Sequence, residues 1–496
     1  MIKACFIFIT VIILSQVSHS QTYFNNEYKN DSIVYNNGAA IYPLKDSSGY
    51  ITTGIVTTNE SSYIGLFRLD INGDTIWTKV FGKYLFYQNG GLGKLISIGD
   101  TNFVFAGIMF TDSITHSSDS ALIALYKFDI DGNFLWEKYF GDSNKKTYGN
   151  DIQQTLDNGF IITGWTTGWG NFSSNSSFLL KVDSLGNEQW HKVYASSNQR
   201  AAYSVDLTND GYILSGTYYS SIATKQDINV IRTDSLGNII WNKVYGTPED
   251  DNYGYVVRYG NTNDYIVTAT IDVTPGNILA DFQAYIAKID GSGNIIWDDT
   301  LGIIQNGIHD AFSSNAIILP DGSIITIGGT NYSSTGDGDD AWLAKYDGNG
   351  NFLWQRIFDK YGANNVNYFW DVQHTLDGGF VMCGDLTNVS VPEQNLWVVK
   401  VDSMGCEIPN CTVGVEDELN LNEVLVYPNP SNGIINIDQS QSNTTFLLID
   451  ITGKEMLRKK LTTNYTTLDI SSFPKGIYFY QTLNNYNRSS GKLIIH

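Results

Sequence analysis

The sequence predicts an all-β chain: a seven-bladed β-propeller of four-stranded blades, followed by a small C-terminal β-sandwich. Three observations predict it. First, an Asp, a Gly three residues on and a Trp four residues beyond recur at Asp70/Gly73/Trp77, Asp129/Gly132/Trp136, Asp183/Gly186/Trp190, Asp234/Gly237/Trp241, Asp290/Gly293/Trp297 and Asp347/Gly350/Trp354. Second, a turn Gly leading into a short apolar strand lies between successive copies, as in Asp157-Asn-Gly-Phe-Ile-Ile-Thr-Gly164 and Asp377-Gly-Gly-Phe-Val-Met-Cys-Gly384. Third, beyond Val424 the repeat gives way to short alternating strands with Gly turns, a pattern that suits a small sandwich.

Each repeat reads as four strands. Phe178 to Asp183, the turn at Gly186 and Glu188 to Tyr194 form one hairpin, in which Gly supplies the positive φ of a tight reversal. The apolar run ending at Gly164 is short and nearly continuous, as in a strand covered on both faces. The spacing within the unit is constant, while successive Trp residues stand between 51 (Trp190 to Trp241) and 59 (Trp77 to Trp136) residues apart. Insertions therefore fall elsewhere. Repeating units of this length, each too small to bury its own faces, describe propeller blades, with Trp77, Trp136, Trp190, Trp241, Trp297 and Trp354 as packing residues between them. A seventh copy begins at Asp402 and Gly405, but Pro409 stands where its Trp belongs. The segment Gln21 to Phe24, which has no hairpin partner of its own, is expected to complete that seventh blade and cover its edge.

The two fixed turns of every unit share one face of the disc, so the variable connections share the other. On that face Trp165, Trp169, Tyr218, Tyr219 and Tyr332 are candidates to stack on sugar rings, although loop packing is the plainer explanation. Asp337, Asp339 and Asp340 form the densest acidic cluster there, a solvated loop charge before it is a calcium site.

Composition bounds the rest. With 30 basic and 51 acidic residues the net charge is −21, which repels phosphate backbones and makes nucleic acid an unsuitable partner. Met1 to Lys3, the apolar stretch from Ala4 to Leu14 and the small residues ending at Ser20 read as a signal peptide over residues 1–20, cleaved before Gln21. That stretch is too short to span a membrane, and no later one is long enough. Cys406 and Cys411 suit a small disulfide loop in an oxidising compartment, and Cys383 reads as a buried thiol. The six His are scattered, no triad or metal spacing appears, and no cofactor is expected. The expected organisation is signal peptide 1–20, propeller 21–411, acidic linker 412–424 and terminal domain 425–496.

The terminal segment carries a specific set of motifs: Tyr427-Pro428-Asn429-Pro430, the turn at Gly453, Gly476-Ile-Tyr478, and Lys492-Leu-Ile-Ile. In that order they resemble the type A C-terminal sorting domain of the type IX (Por) secretion system of Bacteroidetes. The resemblance implies secretion machinery as a partner and an extracellular or cell-surface location. The repeat region looks like the propellers often found upstream of such domains. It is distantly similar to quinoprotein propellers, and lacks the signatures of kelch and WD blades. The leading functional expectation is a non-catalytic binding or scaffold module for a glycan or surface protein. The alternatives are a propeller hydrolase or lyase acting on polysaccharide and, more remotely, a quinoprotein-like enzyme.

Overall fold

The computed structural model describes residues 21–28, 35–57, 62–81, 93–110, 120–169, 175–194, 200–219, 225–273, 282–301, 312–330, 340–361, 365–388, 393–409, 425–438, 444–450, 454–463, 465–483 and 488–496. The signal segment, Cys411, the acidic linker, Gly453, Tyr332, Asp337 and Asp339 lie outside them. The chain divides into two compact units, Met1–Cys411 and Thr412–His496.

In the first unit the described residues form seven four-stranded antiparallel blades. Blade 3 is typical: Thr147–Gln154, Phe160–Thr166, Ser176–Val182 and Glu188–Tyr194 pair in sequence order from the innermost to the outermost strand. The innermost strands are Tyr35–Pro43, Lys94–Ile98, Thr147–Gln154, Arg200–Leu207, Asn252–Arg258, Phe312–Ile318 and Asn365–His374. Each contacts the next, and the seventh contacts the first, so the ring is closed. Apolar clusters fill the spaces between adjacent blades, as with Val104, Ile123 and Leu125 of blade 2 against Ile162, Phe178 and Leu180 of blade 3.

Blade 7 contributes three strands of its own: Asn365–His374, Phe380–Asn388 and Glu393–Val401. Its fourth is Phe24–Tyr28, antiparallel to Glu393–Val401. The closing strand thus begins at Phe24, where the sequence reading had placed its end. The reason is register. In the other blades the Trp pairs with a basic residue of the third strand, as in Arg68 with Trp77, Lys181 with Trp190 and Lys345 with Trp354. In blade 7 that basic residue is Lys400, and its partner is Phe24. Phe24 therefore occupies the place of the missing seventh Trp. Four residues on, the Tyr28 hydroxyl donates to the Gly73 carbonyl, as Tyr194 does to Gly237 and Tyr245 to Gly293.

The same turns explain the constant Gly. The outer-strand Trp of each blade lies against the turn Gly of the next: Trp77 on Gly132, Trp136 on Gly186, Trp190 on Gly237, Trp241 on Gly293, Trp297 on Gly350 and Trp354 on Gly405. At Gly350 φ is +87°, and a Cβ there would meet the Trp297 ring at 2.5 Å. Gly350→Ala is therefore expected to destabilise the chain by about 2–4 kcal/mol, combining left-handed backbone strain with overpacking. Urea denaturation measures it; an unchanged midpoint would mean that the indole moves aside freely.

The third strand of every blade also carries a basic residue two places before the turn Asp: Arg68, Lys127, Lys181, Arg232, Lys288, Lys345 and Lys400. Several pair with the Asp of their own blade's first turn, as in Lys181–Asp157 and Lys400–Asp377 at 2.9 Å and Arg232–Asp210 at 2.6 Å. Burial would raise the Asp157 carboxyl, but hydrogen bonds from Thr155 and Lys181 outweigh it and bring it down to about 2.

The second unit holds two sheets. Leu425–Tyr427, Ile434–Asp438 and Tyr465–Asp469 form one; Glu455–Leu461, Thr444–Asp450, Gly476–Leu483 and Arg488–Ile495 form the other. Ile435, Ile437, Phe446, Leu448, Tyr478 and Leu493 pack between them. Asn429 ties the Tyr427–Pro430 segment to the final strand: its Nδ2 donates to the Lys492 carbonyl at 2.5 Å, and its Oδ1 accepts from the Ile494 N–H at 2.9 Å. Tyr478 donates to the Pro474 carbonyl, and Lys492 is exposed.

Candidate functional site

Seven innermost strands around a centre create a problem of unpaired backbone, because each is the edge of its own sheet. Side chains of the preceding blade solve it. Asp151 Oδ2 accepts from Val205 N–H at 2.8 Å, Ser204 Oγ from Val256 N–H at 2.6 Å, Asp206 Oδ2 from Arg258 N–H at 2.7 Å and Asp371 Oδ2 from Ile41 N–H at 3.0 Å. Asn150 and Ser314 donate in turn to the carbonyls of Ala202 and Phe369.

Register shifts in the innermost strands, such as those between Gly149 and Asp151 and between Phe369 and Asp371, align these side chains. Through six such shifts, and in blade 2 through uninterrupted pairing, Ala40, Lys94, Asp151, Ser204, Tyr255, Asn315 and Asp371 stand opposite equivalent second-strand residues, so the seven lie at one level around the centre. Lys94 Nζ of blade 2 donates to Asp371 Oδ1 of blade 7 at 2.6 Å, and Asn315 Nδ2 donates to the same oxygen at 3.0 Å. Burial alone would lower the Lys94 ammonium, but the carboxylates of Asp371 and Asp151 outweigh it and raise it. Asp151 is pushed up to about 7, chiefly by burial and against the pull of Lys94. Asp206 is raised for the same first reason. On the second strand of blade 7, buried Asp385 accepts from Gly38 N–H, Trp370 Nε1 and Gln394 Nε2, and burial still raises it to about 7. This ring escaped the sequence reading because its position is filled by a different residue type in nearly every blade.

The variable face carries the second arrangement. Three of the aromatics expected on loops there lie in strands: Trp165 in Phe160–Thr166, and Tyr218 and Tyr219 in Gly211–Tyr219. Pairing continues further than the apolar pattern indicated, with Tyr218 opposite Asp227 and Tyr219 opposite Gln226. Most of these rings are engaged. Trp165 stacks on Tyr148 at 4.2 Å, Trp169 stacks on His191 at 4.4 Å and meets Phe178 edge-on, and the Arg200 guanidinium lies 5.0 Å from the Tyr218 ring centre.

A different aromatic group includes one exposed ring, that of Tyr253, against partly buried tyrosines. Tyr203 occupies the bulge of blade 4's innermost strand, and Tyr253 and Tyr255 open that of blade 5. Ring centres are 5.4 Å apart for Tyr203 and Tyr253 and 6.1 Å for Tyr203 and Tyr255. Tyr253 is 49% exposed and has φ +57°, a left-handed backbone that costs a non-Gly residue about 1–2 kcal/mol. Its N–H donates to Thr217 Oγ1 at 3.1 Å. Neighbouring Tyr219 is raised by burial, then by Tyr253 and Asp250. Asp250 accepts from the Gln226 N–H, and Asp227 is raised by burial and then by Asp250. Tyr203, Tyr219, Tyr253 and Tyr255 with Asp227 and Asp250 thus make one patch on blades 4 and 5. The sequence signal for it was the Tyr-x-Tyr of residues 253–255, in a strand whose counterparts lack it.

Cys406 is disulfide-bonded, with its partner outside the described residues, and Cys383 is a buried free thiol. Asp340 is buried at the start of a strand. Among the described residues no group of three or more His, Cys, Asp or Glu is placed to hold a metal ion, and no helix is long and apolar enough to cross a membrane.

Residues 425–496 match the family described as the secretion system C-terminal sorting domain. No curated protein matches the chain. Among solved structures the chain is similar to an α-L-arabinanase of Penicillium chrysogenum complexed with arabinobiose, at 14% identity over 78% of this chain and 99% of that one, with a TM-score of 0.42. The propeller domain of the Trilobed protease of Pyrococcus furiosus matches at 10% identity over 76% and 97%, TM-score 0.42. PorZ, a surface component of the type IX secretion system of Porphyromonas gingivalis, matches at 12% identity over 94% and 70%, TM-score 0.29.

Proposed function

We propose that this propeller cargo of the type IX secretion system, marked as such by its sorting domain at residues 425–496, is an exported binding module whose ligand is a saccharide held on the variable face. The sorting domain implies export to the cell surface or beyond, where polysaccharide is abundant. The observation that carries the reading is Tyr253, an exposed ring kept in a strained backbone beside Tyr203 and Tyr255. Strain of this kind persists where the surrounding structure imposes it, and it gathers at functional positions. Flat aromatic faces with acceptor groups beside them suit the apolar face and the hydroxyls of a sugar.

A catalytic reading has one observation in its favour: Asp151, pushed up to about 7, lies in the field of Lys94. Against it, both Asp151 oxygens accept backbone N–H groups, from Ile152 and Val205, and one Asp371 oxygen is held by Ile41 while the other takes Lys94 and Asn315. Carboxylates so occupied build the ring.

The test is a polysaccharide array probed with the mature chain, followed by incubation of bound polymers and assay for new reducing ends. Binding to a defined subset without new reducing ends is the expected result. A blank array would overturn the saccharide reading. Reducing ends that disappear in Asp151→Asn would replace it with a hydrolase.

A further inference from the structure

We propose that the patch on blades 4 and 5 takes a sugar unit bearing an ammonium group, an inference that rests on the saccharide reading above and names the chemistry of the ligand. Two features meet at this patch. One is the aromatic surface: Tyr203 packs on one side of Tyr253 at an interplanar angle of 52°, and the exposed half of the Tyr253 ring is open to solvent. The other is a pair of carboxylates. Asp250 precedes blade 5, and Asp227 is the second residue of blade 4's third strand, Gln226–Asp234. Asp250 accepts from the N–H of Gln226, the neighbour of Asp227 and the cross-strand partner of Tyr219; Asp227 is raised by burial and then by Asp250. Two like charges held in partly buried surroundings are relieved by a cation. The lysine nearest in sequence, Lys225, bonds to Glu249 and the Pro248 carbonyl, and Asp250 acts on it only after Glu249.

An ammonium group satisfies both features. It is attracted to the negative faces of tyrosine rings, and it donates to carboxylates. The sugar ring that carries it would lie along the aromatic surface. Polar capacity is also left over beneath the patch. Ser215 Oγ and Asn252 Oδ1 are buried without a hydrogen-bond partner. Ser215 Oγ comes within 2.6 Å of where a Cβ on Gly254, the neighbour of Tyr253, would stand. A ligand rich in hydroxyls, or water ordered under it, matches this surplus better than an apolar one does.

Calorimetric titration of the mature chain with three oligosaccharide series of equal length tests the idea at 0.15 M salt. The first is built of glucosamine, the second of N-acetylglucosamine and the third of glucose. The glucosamine series is expected to bind about tenfold tighter than the others. Tyr253→Ala and Asp250→Asn should each remove about that factor. Glu137→Gln, at an exposed site on blade 2's outer strand, should leave binding unchanged. Tyr253→Gly keeps the left-handed backbone permissible, so loss of binding in a variant with an unchanged melting temperature reads the ring itself. Equal binding of all three series would overturn the ammonium inference and leave the saccharide reading standing. Glucosamine binding that survives Tyr253→Gly and Asp250→Asn would be general attraction to a chain of net charge −21, and would also overturn it. Failure of every series would remove the saccharide reading as well.

Discussion

Replacing Lys94 by Met is expected to destabilise the chain by about 3–5 kcal/mol at pH 8, and by distinctly less at pH 5. Lys94 Nζ is 2.6 Å from Asp371 Oδ1, and the Asp371 side chain is 1% exposed. Met has nearly the same length, so little volume is lost and the change reads charge. Without the ammonium, Asp371 keeps donors from Ile41 and Asn315 but no counter-charge. Removing one partner of a buried ion pair leaves the other charge uncompensated, and the pH dependence of the loss comes from Asp151. Asp151 loses the same cation, and with it the main influence that lowers its pKa.

The sign of the wider pH dependence follows from the directions of the shifts. Asp151 and Asp385 stand at about 7 and Asp251 at about 6 in the folded chain, against an ordinary 3.8. Between pH 4 and 7 the folded state therefore holds protons that the unfolded state has released, and stability falls as pH rises through that window. Asp157, at about 2, works the other way: its contribution is present above about pH 4 and is lost as pH falls towards 2. The melting temperature is thus expected to be higher at pH 5 than at pH 8, and the slope steeper in Lys94→Met. A flat profile between these values would mean that the ring carboxylates are ionised throughout.

Starting the mature chain at Lys29 instead of Gln21 is expected to abolish the cooperative, monomeric fold. The deletion removes the strand Phe24–Tyr28, which pairs along its whole length with Glu393–Val401. It also removes the ring that fills the seventh Trp position on Gly73, and the Tyr28 hydrogen bond to the Gly73 carbonyl. Burial of the two aromatic side chains and the loss of a five-residue ladder amount to about 5 kcal/mol or more, comparable to the whole stability of many domains. Trp397 loses the Asn25 acceptor of its indole N–H, and the third strand of blade 7 becomes an open edge. Light scattering and circular dichroism should report aggregation and a broadened transition, with partial rescue by a peptide of residues 21–28. A sharp, monomeric transition in the truncated chain would show that three strands suffice for blade 7.

The blades were legible in the sequence because their packing code is local and repeated. A Trp on the outer strand needs a Gly in the next blade's turn, and the two recur at constant spacing; Trp297 against Gly350 is one instance. The basic residue two places before each turn Asp follows the same local period, since Lys181 and Lys400 belong to the same pattern as Arg68, but its partner Asp lies in another turn and only the fold pairs them. Phe24 was half legible: a strand was expected near it, while its equivalence to a Trp needed the register with Lys400.

Fold class, repeat number and the sorting motifs were determined by the sequence alone, because each depends on residues close together in the chain or on a periodicity that any copy reveals. The central ring and the tyrosine patch were decided only by the tertiary structure. Lys94 and Asp371 are 277 residues apart and meet because seven blades close on themselves. Tyr203 and Tyr253 share a surface because consecutive blades bring their innermost strands side by side. Each of these positions is filled once in the ring and is not repeated, so no periodicity marks it. Its role follows from which side chain the next blade presents to it.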